Sequence, residues 1–325
     1  MKVGILGTGA YGLALCSVMY ENKCDIIMYS NTEEEMNGIL KNRCNERKLP
    51  EYKIPEEIQF TTSLEECIKD KDLIVCAIPA AFMDDLAKEI SPLIKPSDRI
   101  LVATKGIEQD TGLFIHQIFN RYVKTKNIAI ISGPSFAIDL ITKMPVGLSL
   151  ASKNKETARV VKKALANKYV KLRDSNDLFG TEICGAIKNV IAISAGMLEG
   201  LGASDSTKAM LLTEATHDMM EILHAFRAKR RTVTSFAGMG DLILTCNSTK
   251  SRNYKFGTLL GEKVPREVLD TYLKNNTVEG YYTLLSIYKL LKDKRVSIPI
   301  IDLIYEIVVD GKKPELLLDF LVTKD

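Results

Sequence analysis

The first thirty residues constrain this chain more than any other stretch. Val3, Ile5 and Leu6 make a short apolar run, Gly7-Thr8-Gly9-Ala10-Tyr11-Gly12 follows with G-x-G-x-x-G spacing, and Leu13, Ala14, Leu15, Val18 and Met19 continue in a helical pattern. A second strand-like run, Asp25 to Tyr29, comes at βαβ distance. In that order each glycine has its own task. Gly7 permits a tight turn, Gly9 lets the backbone approach a pyrophosphate, and Gly12 lets the helix pack on the strand. The free N–H groups and positive dipole end of the helix would hold the phosphates. Such a turn also serves packing alone in many α/β proteins; the strands on either side favour a dinucleotide.

The pattern then repeats. Asp72 to Pro79, Arg99 to Thr104, Asn127 to Ser132, Val146 to Ala151 and Tyr169 to Leu172 read as further strands, with helical patterns over 81–94 and 155–167. Asn42 to Pro55 is polar and loop-like, and Phe60 to Ser63 leads into a helix. Strands alternating with helices predict a Rossmann-type, mostly parallel sheet covered on both faces, over residues 1–173. From Asp174 the character changes to long helical periodicities: 177–198, 206–228, 252–260, 266–274, 280–292 and from 300 onward. The expected fold class is α/β: a dinucleotide-binding domain at 1–173, then an all-α substrate domain at 174–325.

A length of 325 residues suits about two domains. The net charge of +3 is small and spread along the chain, which argues against a nucleic-acid surface. No apolar run is expected to span a membrane and no signal peptide precedes the first strand, so the expected location is cytoplasmic. Seven cysteines form no C-x-x-C pair, and the three histidines lie in helical patterns. Reduced structural thiols and no metal site are expected.

Three places stand out for chemistry. Gly185 to Gly196 is a helix apolar on nearly every side, interrupted only by Lys188 and Asn189. A lysine buried there needs a partner or a substrate, and burial favours proton exchange near neutrality; the bland alternative is a lysine snorkelling at the helix edge. Gly238-Met239-Gly240-Asp241 sets a carboxylate among glycines, where it could orient a lysine or merely cap a helix. Arg252 and Asn253 could donate to a substrate phosphate, and Lys105 lies just past a strand's carboxyl end, where α/β sheets bind ligands. Where the second strand ends, Ser30 and Asn31 are neither the acid that binds a ribose 2′-hydroxyl nor the arginine that pairs with a 2′-phosphate. The cofactor is left as NAD or NADP, and the missing arginine tilts the expectation toward NAD.

With these residues in place, the sequence resembles the NAD(P)-dependent glycerol-3-phosphate dehydrogenases along nearly its whole length. The motifs are GTGAYG at 7–12, TKG at 104–106, SGPSFA at 132–137, GAIKNVIAI at 185–193, GMGDLILTC at 238–246, SRN at 251–253 and VEG at 278–280. The resemblance implies reversible reduction of dihydroxyacetone phosphate to sn-glycerol 3-phosphate, feeding glycerophospholipid synthesis. It casts Lys188 as general acid/base, Lys105 as a second active-site lysine and Asp241 as the residue that holds the lysine network. On the cofactor side it implies Gly7, Thr8, Gly9, Ala10, Tyr11, Gly12, Ser30, Asn31, Lys105, Ala137, Arg252 and Glu279. On the substrate side it implies Lys105, Gly133, Ser135, Lys188, Asn189, Asp241, Thr245, Arg252 and Asn253. A homodimer is common in similar enzymes.

Some positions depart from the family's pattern. Tyr11 stands where tryptophan or phenylalanine is common, Ile138-Asp139 replaces Lys-Glu, Leu212-Thr213-Glu214 replaces Thr-Arg-Gly, and Arg227 to Arg231 is unusually basic. The rival readings are a 6-phosphogluconate or 3-hydroxyacid type of dehydrogenase, and a non-catalytic nicotinamide-nucleotide sensor.

Overall fold

The computed structural model describes residues 1–109, 111–292, 294 and 296–323. They divide into two compact units, one of residues 1–108 and 113–178, the other of 109–112 and 179 onward. The last strand of the first unit runs to Ser175, just past the expected domain break.

The first unit is built on one eight-stranded sheet. Its strands are β1 (Lys2–Leu6), β2 (Asp25–Tyr29), β3 (Gln59–Thr61), β4 (Leu73–Cys76), β5 (Arg99–Val102), β6 (Asn127–Ser132), β7 (Val146–Ser152) and β8 (Val170–Ser175). They lie in the order β3-β2-β1-β4-β5-β6-β7-β8. The first six repeat the doubly wound dinucleotide-binding arrangement, with the order reversing between β1 and β4. Along the central strands alternate residues enter opposite cores, as a sheet buried on both faces requires. Val3, Ile5, Val75 and Leu101 pack on one face with Leu13, Leu15, Val161 and Leu165. Leu6, Ile74, Cys76 and Ile100 pack on the other with Met83, Ile90, Ile115 and Phe119.

Three features go beyond what was expected from the sequence. Phe60 and Thr61 belong to a short strand, β3, which pairs with β2 before the helix Leu64–Ile68 begins; at three residues it is too short to show an alternating pattern. The segment 42–55 is not simply polar loop, because Leu49 and Ile54 are buried in the core. Finally, β7 is antiparallel to β6. The link between them holds only the five-residue helix Ala137–Ile141, too little for a parallel crossover.

The second unit is helical: Leu178–Gly200, Asp205–Ala225, Asp241–Cys246, Arg252–Gly261, Arg266–Asn275, Glu279–Leu291, Pro299–Val308 and Leu316–Thr323. The first of these is long and apolar enough to cross a membrane, yet 94% of its most apolar window is buried. It is the core helix of the unit, apolar all round because neighbours surround it. Helix Arg252–Gly261 lies against it at glycines. A Cβ on Gly196 would come 1.9 Å from the carbonyl oxygen of Tyr254, and one on Gly257 would come 1.9 Å from that of Ile193.

Candidate active site

Gly7 and Gly12 do the turning and packing expected of them, and Gly9 leaves the clearance that its expected task requires. Gly7 leaves β1 with φ +116°, a left-handed conformation that favours glycine, and its N–H donates to the Tyr29 carbonyl at 3.1 Å. A Cβ on Gly12 would come 2.5 Å from the Gly7 oxygen, so only a glycine lets the helix Ala10–Glu21 sit this close. A Cβ on Gly9, by contrast, would meet nothing within 4 Å. That open space, at the start of a twelve-residue helix, is where a pyrophosphate would approach, and the residues fit a dinucleotide.

The turn is tied to its surroundings. Tyr11 Oη lies 2.9 Å from Ser135 Oγ, joining it to the loop after β6. Lys105, past the end of β5, reaches the Gly133 carbonyl of the same loop at 3.4 Å. Ala137 opens the short helix beyond that loop. Thr8 is buried, and its carbonyl accepts from Asn45 Nδ2 at 3.1 Å. Ser30 is buried and bonded through its N–H to the Thr61 carbonyl, while Asn31 beside it is exposed. The contribution of Asn45 escaped the reading of the sequence, since nothing in a polar loop distinguishes one asparagine from its neighbours.

In the helical unit the most unusual helix and the glycine-flanked aspartate meet. Lys188 Nζ donates to Asp241 Oδ1 at 2.7 Å and to Thr245 Oγ1 at 2.8 Å. The Lys188 and Asp241 side chains are 8% and 2% exposed, which rules out the snorkelling alternative. Thr245 donates in turn to the Asp241 carbonyl at 2.6 Å. Asp241 does not cap the helix it opens: Gly240 is the N-cap, and Asp241 is the first residue of the helix Asp241–Cys246. A π turn, Phe236–Gly240, delivers it. Gly238 fits that turn because a Cβ there would come 2.1 Å from the Val233 oxygen.

Immediately after Lys188 on the core helix, Asn189 Oδ1 accepts from Asn253 Nδ2 at 3.0 Å, and Asn253 Oδ1 accepts from the Gly280 N–H at 2.8 Å. These two asparagines therefore also tie three helices together. Arg252, one residue past the Ser251 cap, is exposed. Glu279 begins the next-but-one helix, and burial pushes its carboxyl up to about 7 against the favourable field of Arg252. Of the residues expected in this unit, Lys188, Asp241 and Thr245 meet in one cluster, and Asn189 and Asn253 bond to each other, which was not expected.

A parallel sheet with an open glycine turn, together with a buried lysine–carboxylate pair on a helical unit, defines a two-domain nicotinamide-nucleotide dehydrogenase. Comparison with known proteins carries this to a family. Residues 2–158 match the model for the N-terminus of NAD-dependent glycerol-3-phosphate dehydrogenase, and residues 177–319 match that for its C-terminus. The chain is 33% identical over 329 aligned positions to glycerol-3-phosphate dehydrogenase (NAD(P)+) of Leptospira biflexa, covering 100% of this chain and 98% of that one. It is 32% identical to the enzyme of the same name from Fusobacterium nucleatum, covering 100% and 97%. A crystal structure of glycerol-3-phosphate dehydrogenase from Coxiella burnetii superimposes with a TM-score of 0.93 at 27% identity, covering 99% of each chain. D-mandelate dehydrogenase shares the fold at a TM-score of 0.63 and 17% identity.

The chain belongs to the NAD-dependent glycerol-3-phosphate dehydrogenase family. It is an oxidoreductase that works with NAD or NADP.

Proposed function

We propose that the chain reduces dihydroxyacetone phosphate to sn-glycerol 3-phosphate in the cytoplasm, as the entry to glycerophospholipid synthesis, and that it does so as a homodimer. Residues 1–173 hold the nucleotide and residues 174–325 the substrate. The observation that carries this reading is the buried Lys188–Asp241–Thr245 cluster, which holds a cation at a fixed point inside the helical unit. Bound NADH or NADPH supplies the hydride.

In this reading Lys188 Nζ gives its proton to the carbonyl oxygen of the substrate as C2 is reduced, and takes one back in the oxidative direction. Asp241 Oδ1 and Thr245 Oγ1 fix the direction of that ammonium group and keep it charged until the proton moves. Lys105, steadied by the Gly133 carbonyl, positions substrate and stabilises negative charge on its oxygen, with Gly133 and Ser135 beside it. Arg252 takes the phosphate, and Asn189 and Asn253 hold the helix that presents it while offering their remaining amide hydrogens to substrate. Gly7 to Gly12, Ser30, Asn31, Ala137 and Glu279 serve the cofactor, with NAD preferred.

The test is the initial rate of NADH and, separately, NADPH oxidation with dihydroxyacetone phosphate, using unphosphorylated dihydroxyacetone as control. Oxidation that requires the phosphate supports reaction and substrate together. Nucleotide binding without oxidation would point instead to a hydroxyacid substrate or a sensor.

A further inference from the structure

Residues 30–40, which follow β2 and face the adenine ribose in this class of fold, contain no lysine or arginine, and three acids occur in succession at Glu33, Glu34 and Glu35. Glu33 and Glu34 are exposed, but Glu35 turns inward, its side chain 23% exposed. Its Oε2 accepts from Ser30 Oγ at 3.3 Å. Its Oε1 accepts from Asn45 Nδ2 at 3.0 Å and from Lys48 Nζ at 2.7 Å, and the Thr8 hydroxyl also reaches it. Burial works against the charge, yet the bonds from Lys48, Asn45 and Thr8 outweigh it and hold the carboxyl below its ordinary value. An ionised carboxylate is thus fastened between the phosphate turn, through Thr8, and the residue just past β2, Ser30. The ammonium group that an additional phosphate could claim, that of Lys48, is already neutralised by it.

We propose that Glu35 sets the dinucleotide preference of this enzyme: pinned by Ser30, Asn45 and Lys48, its carboxylate tolerates a ribose 2′-hydroxyl and repels a 2′-phosphate. The inference rests on the dinucleotide reading above. A 2′-phosphate brings nearly two negative charges at neutral pH, and one fixed carboxylate close by in a partly screened site is enough for about a tenfold difference in affinity. Gln at position 35 keeps the shape and an acceptor oxygen, and removes the charge.

The experiment is a titration of the substrate-free protein with NADH and with NADPH, each followed by nicotinamide fluorescence. The native protein is expected to bind NADH about tenfold more tightly than NADPH, and Glu35→Gln to tighten NADPH by about tenfold while leaving NADH within about twofold. Lys48→Met, which strips away the neutralising partner, should weaken NADPH further. A ratio unchanged by Glu35→Gln in a variant with a native melting profile overturns the proposal, as does a native protein that favours NADPH. Should Glu35→Gln fail to fold, the native protein decides: its preference must shrink as salt rises from about 20 to about 500 mM, because added ions screen the repulsion. A preference indifferent to salt overturns the proposal. Binding of neither nucleotide by the native protein is a different failure, which removes the dinucleotide reading and this inference with it.

Discussion

Lys188 is held at two points, and the two are not equivalent. Asp241 supplies charge and Thr245 only direction, so Lys188→Ala should lose most turnover yet bind NADH as before, because the nucleotide turn is part of the other unit. Near-normal kcat in that variant would remove Lys188 from the proton-transfer role. Arg252→Ala should raise KM for the phosphorylated substrate by about tenfold or more, the loss of one charge-assisted contact, with little change in KM for NADH; steady-state kinetics in both substrates separates the two. A different buried acid concerns stability. Asp218 accepts from the Ile301 N–H at 2.9 Å, at the start of helix Pro299–Val308. Burial pushes its carboxyl from the ordinary 3.8 up to about 7, helped by the charges of Asp302 and Glu214 and opposed by the N–H groups of Ile301 and Ile300. The folded state therefore holds a proton that the unfolded chain has released. Between 3.8 and about 7 that contribution to stability falls as pH rises. Asp218→Asn should flatten this stretch of the profile, measured by denaturant unfolding from pH 4 to pH 8 in the native protein and the variant. Glu214, which breaks the family's sequence pattern, has a physical consequence here.

At the scale of elements, the glycine turn was legible because three requirements coincide within six residues, and each leaves a glycine. The helical unit was legible too: its helices from Leu178 to Leu291 begin and end within three residues of the expected limits wherever one was expected. The illegible parts have physical reasons. Strand β3 is three residues long, and the direction of β7 depends on how little helix precedes it rather than on any residue within it. The setting of Glu35 was hidden because its partners Thr8, Ser30, and the pair Asn45 and Lys48 come from three segments and meet only in the fold. The Lys188–Asp241 pair spans 53 residues, yet the chemistry of each member hinted at the other. Contact between the two glycine-bearing helices yields its own prediction. Gly257→Ala pushes a methyl group into backbone rather than a side chain that can rotate aside, so it should cost about 3 kcal/mol or more. Ordinary surface glycines in helices gain stability on that change, and an unchanged melting temperature would show that the helices part without penalty.

At the scale of the molecule, the proposed function divides the work between two units of different construction. The first spends its apolar residues on both faces of a sheet and leaves its turns for the nucleotide; the second surrounds one apolar helix and uses that helix to carry its lysine. A homodimer is expected from the proposed function, and sedimentation velocity at micromolar concentration checks it: a single species of about twice 36.2 kDa supports it and a monomer does not. Because the units are separately compact, NADH should slow amide exchange first around β1, β2 and the turn between them, and substrate around the helices bearing Lys188 and Arg252.

The lysine and the arginine ride on two helices that touch through peptide groups, at Gly196 and Gly257 and again at Gly200 and Gly261. Their spacing is thus independent of whichever side chains line the site. A lineage, or an engineer, could exchange Arg252 to admit a substrate with a different acid group and still inherit the same lysine at the same distance. What evolves easily in such an enzyme is its choice of substrate, while the chemical step is fixed by the frame.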